Sequence, residues 1–256
     1  MLLSSPLFPA EAGLPGTPEA QPLPLPPAVW RAHQLGYAAT PVLASGFDAL
    51  DAELPGGGWP VSTLTELLLP HAGVGELRLL APVLAAQQQA QRSLMWFDPP
   101  AAPCAWALSA LGLDMRQLVL VRSRQPLKSR ARERLPAMDV LWALEQALKS
   151  GHVGAVLAWL PARLPADALR RLQLAAQAHG GLVFLLRDAA LRTQPSPARL
   201  RLLLGCAGPD RLRVALLKRR GPPSAQPLTL ELPAVLSTPA LSRARPLPLS
   251  PTPVTS

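Results

Sequence analysis

Aromatic residues make up only 4% of this 256-residue chain, with a single tyrosine, so any core it builds must be aliphatic. Cysteine is nearly missing. Cys104 and Cys206 lie far apart without metal-ligand spacing, which argues against a disulfide framework and for reduced thiols in a cytoplasmic protein. Acidic residues are scarce, 16 against 25 lysines and arginines, for a formal net charge of +9. That balance favours phosphate-bearing or otherwise acidic partners through long-range attraction, although an arginine-rich solvated surface gives the same count. No apolar run reaches the roughly 20 residues of a membrane span. The opening Met1–Pro6 also lacks the basic start and apolar stretch of a signal peptide. His33, His71, His152 and His179 have neither ligand spacing nor a nearby nucleophile, so no catalytic residue, metal or cofactor is assigned.

What the chain has in excess is proline, 32 residues, more than twice the average share of about 5%. The prolines crowd at both ends. Residues 1–27 read as an extended Pro-rich arm and 233–256 as a disordered Pro/Ser/Arg tail, with one domain over 28–232. A short helical patch, 28–35, carries Trp30. Beyond it, strands and helices alternate. Strands are expected at 62–69, 94–97, 118–121, 153–160 and 182–186, and helices at 76–91, 104–111, 136–149 and 165–178. This rhythm predicts an α/β fold with a mostly parallel sheet flanked by helices. Three further strands, 200–204, 211–217 and 228–232, predict an antiparallel C-terminal extension.

A strand, a Gly-containing loop and a helix form the frame of a phosphate-binding loop. Here it reads Pro70-His71-Ala72-Gly73-Val74-Gly75-Glu76-Leu77. The two residues after the last loop glycine should be a lysine for the phosphates and a hydroxyl for Mg²⁺. They are an acid and an aliphatic side chain. Glu76 is instead suited to the first turn of its own helix, where it offsets the dipole by about 0.3–1 kcal/mol.

On these segments the chain resembles the RecA-type recombinase fold over about residues 40–232. Within that group it is most similar to the ImuA family, through the run from Gly46-Phe47-Asp48 to Gly56-Gly57-Gly58-Trp59-Pro60 and through Gly73–Leu77. Ala158-Trp159-Leu160 and Phe184-Leu185-Leu186-Arg187 also resemble the SulA family of division inhibitors, which shares the same degenerate core. Other positions depart from an active recombinase as well. Trp159 stands at the strand end that would deliver a metal-binding Asp. Asp98 is followed by Pro99 and Pro100 where a glutamate base would be needed. The implied fold is RecA-like with a degenerate phosphate loop, and the implied protein is not an enzyme.

The leading expectation from this resemblance is a cytoplasmic, nucleoid-associated adaptor in SOS-inducible translesion DNA synthesis. Its implied partners are an ImuB-type polymerase-like protein, an error-prone replicative-type polymerase subunit and RecA, with non-specific DNA contact and no membrane. The alternative is a SulA-like inhibitor binding FtsZ. The long N-terminal arm and the strands after Leu186 argue against it, because SulA-type chains resemble only the central part. Arg122, Arg124, Lys128, Arg130, Arg132 and Arg134 fall in one loop, and Lys218, Arg219 and Arg220 end a strand. Both groups suit contact with DNA or an acidic partner, or are plain solvated charge. Trp30 is a candidate interface residue. Trp59, Trp96, Trp106, Trp142 and Trp159 are expected in the core.

Overall fold

The computed structural model describes residues 41–122, 137–221 and 226–234. The N-terminal arm with Trp30, the loop residues Arg124, Lys128, Arg130, Arg132 and Arg134, and the tail from residue 235 lie outside them.

Its central strands are apolar almost without interruption, as expected where a parallel sheet is covered on both faces. Leu64–Leu69 (β3) is buried at every position, and Val153–Trp159 (β6) and Leu182–Asp188 (β7) at every position but the last. With Ser93–Phe97 (β4), Leu118–Val121 (β5), Leu200–Gly208 (β8), Arg211–Lys218 (β9) and Leu228–Glu231 (β10), they form one eight-stranded sheet. Its order is β10-β9-β8-β3-β7-β6-β4-β5. Pairing is parallel from β5 across to β8, and β9 and β10 add on antiparallel. A separate antiparallel pair joins Val42–Leu43 (β1) to Trp59–Pro60 (β2).

Helices close both faces. Asp48–Asp51 (α1), Glu76–Gln89 (α2) and Ala105–Ala110 (α3) cover one side, where Leu50, Leu80, Leu84 and Leu108 pack with Leu67, Trp96 and Leu157. Ala137–Ser150 (α4) and Ala168–Ala178 (α5) cover the other, where Leu144, Leu148 and Leu172 pack with Leu64, Phe97 and Val156. Leu157 and Val156 face opposite ways because side chains alternate along a strand. The mostly parallel sheet, its flanking helices and its antiparallel extension are thus as the periodicity predicts.

The glycine-rich run is explained by packing. Ser45 N–H donates to Asp51 at 2.9 Å and pins the turn before α1. A side chain on Gly46 would come within 2.5 Å of Pro82 in α2, and φ there is +85°, so the turn needs glycine. Trp59 meets Phe184 of β7 edge-on at 5.2 Å.

Two of the tryptophans expected in the core are not there. Trp59 and Trp96 are fully buried, and Trp159 is half-buried with its ring 5.8 Å from that of Trp96. Trp106 is 87% exposed and Trp142 62% exposed. In α4 the buried stripe is Leu141, Leu144 and Leu148, and Trp142 with Met138 stands on another face, one helical turn apart.

Candidate functional site

Parallel strands end together at one sheet edge, and ligands of open α/β sheets commonly bind there. The loop from Pro70 to Gly75 leaves β3 at this edge and enters α2. Gly73 and Gly75 both have positive φ, +82° and +122°, which turns successive backbone N–H groups inward. The group they meet belongs to the chain itself. Glu76 accepts from the Gly73 N–H at 2.8 Å and from the Gly75 N–H at 3.1 Å, and is nearly fully buried. Leu77 is partly buried against the α2 side of the core.

Pro70, Asp98, Pro100 and Trp159, far apart in sequence, come together in one open cleft of about 200 Å³ with Arg187 and Asp188. Its size falls below the 300–1,000 Å³ usual for small-molecule pockets. Asp98 has a left-handed backbone (φ +51°), which aspartate tolerates better than most residues, and its N–H donates to the Val121 carbonyl. Gly73, Gly75, Glu76 and Leu77 do not line this cleft.

The basic candidates are not equivalent. Arg219 donates to Glu53 at 2.7 Å and is largely buried, tying the end of β9 to the turn after α1. Lys218 donates to the Ser196 carbonyl at 2.9 Å. Arg122, at the end of β5, and Arg220 are both exposed. Arg219 is therefore a structural cross-link, although the sequence suggests an outward-facing basic cluster.

Among the described residues, the interior also holds a charged cluster that no local sequence pattern announces. Glu66, in the middle of β3, is fully buried and sits between Arg187 of β7 and Arg201 of β8. Arg187 Nη1 donates to Glu66 Oε1 at 2.9 Å, and Arg201 Nε donates to Glu66 Oε2. Remaining guanidinium hydrogens reach the backbone carbonyls of Ala162, Leu191, Arg192 and Gln194. An acid inside a largely leucine strand was the available signal. Its partners lie more than a hundred residues away, so spacing could not identify them.

His179 is buried without a hydrogen-bond partner for either ring nitrogen. Burial first, and then the nearby Arg92 charge, hold its pKa below the ordinary imidazole value. Among the described residues no helix is long and apolar enough to cross a membrane.

No family model matches the chain. It is 31% identical over 122 residues to the cell division inhibitor SulA of Edwardsiella piscicida, covering 48% of this chain and 61% of that protein. It is 29% identical over 124 residues to SulA of Photorhabdus laumondii, covering 48% and 63%, and 31% identical over 110 residues to SulA of Yersinia pestis, covering 43% and 58%. The chain spans about three fifths of the length of these curated relatives. Over just under half of its own length it is similar to SulA-type cell division inhibitors.

Proposed function

We propose that this chain is an SOS-linked protein-binding module on a RecA-like core that works without nucleotide and is not an enzyme. One observation carries this reading: the Glu76 carboxylate accepts from the loop amides that would otherwise face a phosphate. A triphosphate would have to displace that carboxylate and then lie beside it. At 4 Å and an effective dielectric near 20, two like unit charges repel by about 4 kcal/mol. No lysine follows Gly75 to offset this, and Leu77 offers Mg²⁺ no hydroxyl. The strand order, parallel from β5 to β8 with an antiparallel extension, supports the RecA-like assignment.

For the partner, the similarity to SulA supports inhibition of cell division, with FtsZ as the target that this resemblance implies. This reverses the weight that the sequence alone suggests. Overexpression is the test: filamentous cells are expected, and normal division at high protein level contradicts the inhibitor reading.

A second reading keeps the translesion adaptor, with an ImuB-type protein, an error-prone polymerase subunit and RecA as partners and non-specific DNA contact. Two observations favour it: the Gly46–Pro60 run, and a matched stretch that leaves more than half the chain outside it. A pull-down from damage-treated cells separates the two. Recovery of polymerase-type partners supports the adaptor; recovery of FtsZ alone contradicts it.

A further inference from the structure

A second cavity, of about 450 Å³, opens between the β6–α5 connection and the segment that follows β7. Arg187 lines both this cavity and the cleft described above. Its residue is 6% exposed, and its Nε finds no hydrogen-bond partner. Arg187 and Arg201 share the single carboxylate of Glu66, so the buried cluster carries one positive charge more than it neutralises. Arg163, on the cavity wall, is exposed and makes no hydrogen bond or ion pair among the described residues. Among the described residues, no carboxylate lines the cavity. A buried surplus of positive charge is unfavourable, and an unpaired buried donor commonly marks a missing ion or water.

We propose that this cavity receives a carboxylate side chain from an acidic segment of a partner protein. Arg163 supplies an open guanidinium fork, which matches a carboxylate in two parallel hydrogen bonds. Arg187 supplies the buried positive field behind it. Leu164, Pro165 and Leu169 give apolar wall for aliphatic residues flanking the acid. The lining also decides against a nucleic-acid backbone. Tracking phosphates takes a row of exposed cations, and among the described lining residues only Arg163 is an exposed cation.

This inference rests on the protein-binding reading and names the partner chemistry. The test uses the full chain and fluorescence anisotropy with a fluorescein-labelled peptide of alternating Leu and Glu. Controls are the same peptide with Gln for Glu, and labelled oligothymidine. Saturable binding of the Glu peptide is expected, about tenfold or more weaker in Arg163→Ala, the scale of one charge-assisted hydrogen bond. Arg163→Lys keeps the charge without the fork and should recover part of the loss, and Arg116→Ala should change nothing. Equal affinity of wild type and Arg163→Ala, equal affinity for the Gln peptide, or tighter oligothymidine binding that Arg163→Ala weakens would each overturn the site. A cellular partner captured equally by wild type and Arg163→Ala overturns the site but leaves the broader reading standing. Failure to capture any partner removes the broader reading, while the peptide titration still measures the site directly.

Discussion

Glu66 and Glu76 are both buried acids at or beside β3, yet they are held by opposite means. Glu76 is satisfied by the peptide N–H groups of its own loop, a local arrangement reaching back only to Gly73. Glu66 is satisfied by two guanidinium groups from neighbouring strands far away in sequence. The first arrangement uses neutral dipoles and occupies the Gly73 and Gly75 N–H groups with the chain's own carboxylate. The second uses full charges and leaves the interior with a surplus of positive charge. On the proposals above, an anion is unwelcome at the loop and welcome beside Arg187.

Chemical denaturation sharpens this contrast. Glu66→Gln leaves two buried guanidiniums without a counter-charge and should destabilise the fold by about 3–5 kcal/mol, the usual cost of breaking a buried ion pair from one side. Glu76→Ala should cost less, about 1 kcal/mol, because Gly73 is exposed and water can replace the lost acceptor. A larger loss in Glu76→Ala than in Glu66→Gln would reverse the comparison.

His179 offers a third case, a buried titratable group whose ring nitrogens have no hydrogen-bond partner among the described residues and whose named charged neighbour is another cation, Arg92. Its folded pKa is depressed, so the unfolded chain takes up the proton first as pH falls. The stability linked to this group is complete above about pH 6.5 and declines as pH drops below that ordinary value. Midpoints followed from pH 8 to 5 should decline in wild type and decline less in His179→Leu. Parallel curves would mean that the imidazole titrates normally. The smallest effect is expected from Trp106→Ser, within about 0.5 kcal/mol, because the ring is almost wholly exposed. Trp59→Ala, in the core, should cost about 3–5 kcal/mol.

Element identity was legible where a buried strand is a continuous apolar run bounded by glycine or proline, as at Val153–Trp159 between Gly151 and Pro161. Boundaries drifted where capping was weak: α5 begins at Ala168, after the first turn that Pro165 suggests. The strand–loop–helix frame at 70–77 was legible in the sequence, whereas for Glu76 the sequence suggests only a dipole role. Its two amide hydrogen bonds depend on positive φ at Gly73 and Gly75. Trp142 is exposed although aromatic character alone suggests burial, because the buried stripe of α4 runs through Leu141, Leu144 and Leu148. Arg219 and the Glu66 cluster escaped because ion pairs across distant strands follow from topology, which local periodicity does not carry.

Equilibrium titration of the full chain with a fluorescent ATP analogue in the presence of Mg²⁺ tests the central claim most directly. With Glu76 seated on the loop amides, no saturable binding is expected up to millimolar analogue. Micromolar affinity would contradict the account, because it would show that those amides still accept a triphosphate.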